Sequence, residues 1–425
     1  MVNFGFTKLV SQLSKMKLLV IDTSYNFEAI VEKKLYEAIY SRDLNGYFTK
    51  VWSAHPFGDI TNQNLQKKNF GKIDIHVMNK CHSFIEGKIG KFFILKRLKL
   101  INFIISQIEF FFFLKKLIKQ ERIDFIKAND PHYNSLLALL LSKFTKVPFL
   151  VRVSGNFDKI YKDTKRPIMK KFFVFRFIEK FFERLIFKKT DYVIAPNNDN
   201  LQYAFSNGLK KEKGSVVRYG SLIHKKHLIE PILRKEKYFF KKELNIEDNS
   251  IFLIYVGRLE KVKRVMDLVK IIKNIKNNQI KLLIVGKGSL QNSLKEEIIK
   301  NKLDDRIFLL GEKNQEWLAR CLPNISCFVA THTGRALAEA SFAGLPVVGY
   351  DIDWHSEIIE DGINGYLVKT GECSLFSQLI LRVLNNKDLA EKFSKNIREK
   401  AETLLSPDKI TEIEIECFKK IKRVY

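Results

Sequence analysis

The feature that most constrains this chain is a repeated alternation. Short apolar runs of five to eight residues recur down the whole sequence, separated by longer amphipathic stretches. In the first half they are MKLLVID (16–22), FTKVWSA (48–54), IDIHVM (73–78), IDFIKAN (123–129), PFLVRVS (148–154), DYVIAP (191–196) and GSVVRYG (214–220). In the second half they are SIFLIYVG (250–257), KLLIVG (281–286), RIFLLG (306–311), ISCFVAT (325–331), LPVVGYD (345–351) and NGYLV (364–368). A strand covered on both faces reads as a continuous apolar run, and strand–helix–strand succession is the unit of a parallel sheet. Two such sets predict two doubly wound α/β domains. The length of 425 residues agrees, since a single core rarely grows past about 250–300 residues.

The stretch SLIHKKHLIEPILRKEK (221–237) has no clear period and reads as the linker, with His224 and His227 as solvated parts of it. This puts the domains at 1–222 and 223–405. A last segment, 406–425, opens with SPDK, an N-cap followed by Pro at the first helical position, and runs amphipathically to Tyr425. The five cysteines (Cys81, Cys321, Cys327, Cys373, Cys417) are scattered, with no C-x-x-C pair. That argues against a disulfide framework or a zinc site and suits a reducing cytoplasm. No cluster with metal-ligand spacing is visible in the sequence. The first basic, apolar stretch (15–21) is short and ends at Asp22, so no signal peptide is expected.

Charge is unevenly placed. Of the net +27, +21 falls in residues 1–230. An excess confined to one half points to a polyanionic surface met by that half: membrane, nucleic acid or a phosphorylated substrate. The most apolar segment, Leu98 to Leu114, carries Lys99, Asn102, Gln107 and Glu109 and is shorter than the ~20 residues a membrane span needs. Residues 88–119 and 165–189 instead interleave Lys and Arg with Phe and Leu at helical spacing. Basic amphipathic helices of this kind lie in anionic membrane surfaces. A core-facing helix with a solvated basic face is the plainer alternative for each.

Three strand ends in the second half could hold a ligand. In IYVGRLEKVKRVMDLVKII (254–272) a buried strand ends at Gly257 and a short loop carries Arg258 and Lys263. Ligands bind beyond the carboxyl ends of strands in open α/β sheets, and two cations there suit a diphosphate. In LLIVGKGSLQNSL (282–294), Gly286 and Gly288 sit where a backbone comes close either to a ligand or merely to its own turn. In HTGRALAEASFAGLPVVGYD (332–351) a helix N-terminus at Gly334 offers free N–H groups to a phosphate, and Arg335 adds a side chain. Glu339, one turn on, can accept hydrogen bonds from vicinal hydroxyls, as on a ribose, or can simply pair with Arg335.

In order, VGRLEKVKRVMDLV (256–269), LLIVGKGSL (282–290), IFLLGE (307–312) and HTGRALAEASFAGLPVVGYDIDWHSEIIEDGINGYLV (332–368) resemble the nucleotide-sugar-binding half of glycosyltransferase family 4, retaining enzymes of the GT-B fold. More loosely, residues 123–156 and 188–221 resemble the family's first half. The resemblance implies two Rossmann-like domains facing each other across a cleft, with the C-terminal helix packing back on the N-terminal domain. It implies that Arg258 and Lys263 hold the donor diphosphate and that Glu339 binds the ribose. Gly257, Gly286 and Gly288 would line the donor, with Gly334, Arg335 and Ala336 beside its β-phosphate and sugar. Asn129, Asp130 and His332, with Arg258 and Lys263, would form the catalytic group; Ser154 and Asn156 would hold the acceptor. His355 could line the donor pocket or serve as a packing residue. Neither metal nor cofactor is called for, since the cations replace a metal.

The sequence departs from the family at several points. Members usually place two Glu eight residues apart; the second matches Glu339, but the first falls on Thr331. Two positions that often carry His are Asn129 and Ser154 here, and the loop IDTSYNFEAI (21–30) lacks the usual Gly. The expected activity is retaining transfer of a sugar from a nucleotide-sugar to a cell-envelope glycan or lipid-linked acceptor, in bacterial polysaccharide or lipopolysaccharide biosynthesis. The expected place is the cytoplasm, peripheral on the inner face of an anionic membrane. The alternatives are a GT-B nucleotide-sugar epimerase or hydrolase and a catalytically silent nucleotide-sugar-binding partner. Nucleic acid is not an expected partner, because no RNA- or DNA-binding motif accompanies the charge.

Overall fold

The computed structural model describes residues 16–58, 67–168, 175–218, 223–236, 238–246 and 250–423. The chain divides into two compact units, Met1–Arg218 with Thr411–Tyr425, and Tyr219–Ile410. The expected boundary at 222/223 touches residues outside the described ones.

Among its described residues the first unit has eight strands: β1 (Met16–Ile21), β2 (Phe48–His55), β3 (Asp74–Val77), β4 (His82–Glu86), β5 (Phe125–Asn129), β6 (Phe149–Arg152), β7 (Tyr192–Ala195) and β8 (Gly214–Val216). Their order is β3-β4-β2-β1-β5-β6-β7-β8, parallel except where edge strand β3 runs antiparallel to β4. Strand β4 was not among the expected ones; His82 and Ser83 break its apolar run, although both are buried. The C-terminal helix, Pro407–Lys422, begins in the second unit, and its residues from Thr411 on belong to the first. Phe418 meets Phe48 and Phe125 edge-on at 5.0 and 5.1 Å. Buried Glu414 is paired with buried Lys127 of β5.

Among its described residues the second unit has six parallel strands: β9 (Ile251–Val256), β10 (Ile280–Val285), β11 (Ile307–Gly311), β12 (Cys327–Ala330), β13 (Val347–Tyr350) and β14 (Gly365–Val368). Their order is β11-β10-β9-β12-β13-β14. Alternate strand residues feed two cores. Leu253, Leu282, Ile284 and Val329 pack with Leu268, Ile272, Phe376 and Ile380 of covering helices. Ile254, Leu283, Phe328 and Val347 pack with Leu318, Leu337, Phe342 and Ile397. Both faces are dry, which is why these strands read as unbroken apolar runs.

Strand order reverses between β9 and β12 in the second unit and between β1 and β5 in the first. Loops leaving those strands part in opposite directions and open a crevice at the carboxyl edge. Of the stretch read as the linker, the described residues 223–236 belong to the second unit. They form short turns at Lys225–Leu228 and Pro231–Arg234, His227 is fully buried, and Arg234 donates to the Ile229 and Ala319 carbonyls.

Of the two basic amphipathic stretches, the first forms the helix Lys99–Glu121. Its buried stripe is Asn102, Ser106, Phe110, Leu114 and Ile118. The polar members latch the preceding segment. Asn102 accepts from the Lys91 and Phe92 N–H groups at 2.7 and 2.9 Å and donates to the Phe92 carbonyl at 2.7 Å; Ser106 donates to the Lys88 carbonyl at 2.6 Å. Leu100, Ile101, Ile104, Ile108 and Phe112 of the same helix are exposed, as are Leu140 and Phe144 of the helix Tyr133–Thr145. Lys115 lies over both Phe112 and Phe144. In the second stretch, 169–174 lie outside the described residues; Arg176–Lys189 is helical and exposes Phe177 and Phe181. Among the described residues no helix is long and apolar enough to cross a membrane.

Candidate functional site

In the second unit the loops after β9, β12 and β13 meet. Lys263 ends a short turn after β9. Its Nζ donates to the Thr333 carbonyl at 2.8 Å and lies 3.1 Å from His332 Nδ1. Burial and the Arg258 charge push Lys263 below its ordinary pKa; burial and the Lys263 charge do the same to His332. The folded chain thus disfavours the positive charge it concentrates here. An anion arriving at this corner relieves that cost, which is what a site for a diphosphate requires. Arg258 is exposed at the same loop.

The helix Arg335–Phe342 begins at Gly334 with no side chain capping it. A Cβ at Gly334 would meet nothing within 4 Å, so there is open space beside this helix start, whose first N–H groups, those of Arg335 and Ala336, have no intrahelical partner. Gly286 and Gly288 have a packing reason. A Cβ on Gly286, whose φ is +141°, would lie 1.9 Å from the Gly257 carbonyl oxygen, and one on Gly288 would lie 2.4 Å from that of Leu259. The loops after β9 and β10 are zipped by the bonds Leu259 N–H to Lys287 O and Leu290 N–H to Leu259 O, each 2.9 Å. These glycines let two loops touch each other, and thereby fix where Arg258 starts.

Glu339 is 2% exposed. Arg335 Nε donates to its Oε1 at 2.9 Å, so the i, i+4 pair does form. Gln315 fits with its amide nitrogen toward Glu339 Oε1 (3.0 Å) and His227 Nε2 (2.9 Å) and its oxygen toward Arg335 Nη2 (3.2 Å). Burial raises the Glu339 pKa and Arg335 offsets only part of the rise. Among the described residues no hydrogen bond reaches Glu339 Oε2; the Arg335 pair is made through Oε1. Thr331 is fully buried and its Oγ1 donates to the Lys263 carbonyl at 2.9 Å. His355 is a packing residue: fully buried, lowered by burial to about 4, its Nδ1 bonded to the Tyr350 carbonyl at 2.7 Å. His227, read as solvated, is likewise buried and lowered to about 4. Sequence alone could not show either burial, because each partner lies on another element.

In the first unit the expected catalytic residues Asn129 and Asp130 and the expected acceptor residues Ser154 and Asn156 follow the carboxyl ends of β5 and β6. Asp130 sits in a left-handed turn (φ +63°) and its Oδ1 accepts from the Ser154 N–H at 2.8 Å; burial raises its pKa. Asn129 Oδ1 is buried without a partner. Asn156 caps the helix Phe157–Thr164 through the Lys159 N–H and donates to Asp199, so its side chain has a structural task. Sequence reading missed Asp22 at the end of β1. Burial alone would raise its pKa, but the Arg42 guanidinium 2.5 Å away and Ser24 outweigh this and hold it low.

One potential metal-ligating group does form, contrary to the spacing argument. Single ligand atoms of His132, Glu179 and Glu183, all buried, lie within 4.8 Å of one another. Arg176 already lays its guanidinium there, with Nη1 2.5 Å from each carboxylate. All five cysteines are free.

Comparison with known proteins agrees with this geometry. A family model, Glycosyl transferases group 1, matches residues 236–400. The chain is 29% identical over 171 residues to the poly(ribitol-phosphate) alpha-N-acetylglucosaminyltransferase of Staphylococcus aureus, covering 39% of this chain and 34% of that protein. It therefore spans about a third of that relative's length. It is 24% identical over 300 residues to the N,N'-diacetylbacillosaminyl-diphospho-undecaprenol alpha-1,3-N-acetylgalactosaminyltransferase of Campylobacter jejuni, covering 68% of this chain and 76% of that one. Among solved structures, Anabaena HepE in complex with UDP and glucose superposes with a TM-score of 0.68 at 16% identity, over 95% of this chain and all of that one. The shared architecture is the GT-B fold.

Proposed function

We propose that this chain, whose second unit is a group 1 glycosyltransferase module, is a retaining enzyme that moves a sugar from a nucleotide-sugar to a cell-envelope glycan or lipid-linked acceptor. The observation that carries the reading is the corner where Lys263, His332 and the uncapped start of the helix at Gly334 come together. Arg258, Lys263 and the N–H groups of Arg335 and Ala336 take the charge of the diphosphate as it departs, so no metal ion is needed. Preorganised charge of this kind favours the transition state over the bound donor, because negative charge on the leaving oxygen grows as the bond to the sugar breaks. Glu339, held behind Arg335, accepts from the ribose hydroxyls. Asn129, Asp130 and Ser154 bind the acceptor from the first unit.

Relatives acting on poly(ribitol-phosphate) and on a diphospho-undecaprenol-linked sugar support a glycan or lipid-linked acceptor. The exposed apolar face of the helix Lys99–Glu121, with Lys96, Arg97, Lys99 and Lys115 beside it, supports peripheral docking on an anionic cytoplasmic membrane. Thr331 in place of a carboxylate favours one rival, a silent nucleotide-sugar-binding partner. Sugar release from UDP-, GDP- and ADP-sugars, with and without cell-envelope extract, separates them. Turnover stimulated by extract supports the transferase; nucleotide binding without any turnover supports the silent partner.

A further inference from the structure

We infer that Asp353 is the carboxylate that recognises the transferred sugar, and that this sugar is neutral rather than a uronic acid. The inference rests on the reading of the second unit as a nucleotide-sugar site. Asp353 lies in the loop after β13, in left-handed backbone (φ +48°) that Asp tolerates better than most residues. Its Oδ2 accepts from Thr333 Oγ1 at 2.8 Å and lies 3.9 Å from His332 Nε2. Three loops thereby converge on one corner: Lys263 after β9, His332 and Thr333 after β12, and Asp353 after β13.

The carboxylate is positioned but not used up. Its side chain is 39% exposed, and among the described residues no hydrogen bond reaches Oδ1. Position 331 cannot do the same work, since Thr331 is fully buried and its hydroxyl is spent on the Lys263 carbonyl. Glu339, bonded to Arg335, is already assigned to the ribose. Asp353 is thus an accessible carboxylate tied to the very loop that holds the proposed diphosphate cations, and its charge acts on both Lys263 and His332. A sugar attached to that diphosphate offers hydroxyl donors, which a carboxylate binds by charge-assisted hydrogen bonds. A uronate at the same place sets one carboxylate against another.

Calorimetry on the full chain tests this with UDP, GDP and ADP against UDP-glucose, GDP-mannose and ADP-glucose, for the parent, Asp353→Asn and Asp353→Glu. For the nucleotide that binds, Asp353→Asn should leave free nucleotide within about twofold and weaken its nucleotide-sugar at least tenfold. Asp353→Glu should recover part of that loss. The matching uronate donor, UDP-glucuronate in the case of UDP, should bind the parent at least tenfold more weakly than the neutral one, and the gap should close in Asp353→Asn. Equal loss for nucleotide and nucleotide-sugar, or no loss for either, overturns the inference while the donor site stands. Absence of binding by all three nucleotides removes the donor site and the inference together.

Discussion

Replacing Glu339 with Gln removes a buried negative charge while keeping the shape of the side chain. Within the fold that charge is a burden. Burial raises its pKa and Arg335 compensates only partly. A carboxyl whose folded pKa lies above its unfolded one contributes stability that is complete below about pH 4.5 and lost as pH rises through the folded value. At pH 7, therefore, Glu339→Gln should leave the melting temperature unchanged or raise it. Arg335 loses a partner, but its side chain is 47% exposed, so that loss is a few tenths of a kcal/mol. The donor should behave oppositely. If Glu339 accepts from ribose hydroxyls, neutralising it costs about 1.5–3 kcal/mol of binding, roughly ten- to a hundredfold in Kd. Thermal melts at pH 7 and pH 4, with nucleotide titrations of parent and variant, read both quantities. The stability difference should shrink toward pH 4, where the parent carboxyl is protonated. Unchanged donor affinity refutes the ribose role. A fall in melting temperature with donor affinity intact identifies Glu339 as a structural partner of Arg335 and nothing more.

Two glycines should separate packing from binding. Gly286→Ala forces a Cβ to 1.9 Å from the Gly257 oxygen at φ +141° and should cost more than about 3 kcal/mol, read by urea unfolding. Gly334→Ala meets no atom within 4 Å and should keep stability within about 1 kcal/mol while weakening nucleotide binding; the reverse ranking contradicts the site. The chain should float with anionic liposomes and be released by salt, each basic residue at the surface adding about 1 kcal/mol. Replacing Ile104, Ile108 and Phe112 with Ser should weaken flotation without unfolding, because all three are exposed; equal binding to neutral liposomes, or none to either kind, sinks the electrostatic part of the docking proposal.

The strands of the second unit were legible because both faces of their sheet pack into apolar cores, so runs such as LLIV in β10 carry no polar interruption. The C-terminal helix was legible from Ser406 and Pro407, which mark its start. What failed was whatever depends on a partner far along the chain. His227 looks solvated beside its Lys neighbours, yet its ring meets Gln315, 88 residues away. Asn102, which helped exclude a membrane span, is the latch for residues 91 and 92. Strand β4 hides because buried His82 and Ser83 look like a turn. The ligand-approach reading of Gly286 and Gly288 could not be weighed without knowing that the loop after β9 lies against them. The group His132, Glu179 and Glu183, with Arg176 on its carboxylates, is invisible to spacing because the histidine is 47 and 51 residues from the two Glu.

The proposed function depends on diphosphate binding at the corner of Arg258, Lys263 and the helix start at Gly334. It is tested most directly by calorimetric titration of the full chain with UDP, GDP and ADP at low millimolar concentration, beside Lys263→Ala. At least one nucleotide should bind at a single site, weakened at least tenfold by Lys263→Ala. Absence of heat with all three, or binding that Lys263→Ala leaves intact, would contradict it.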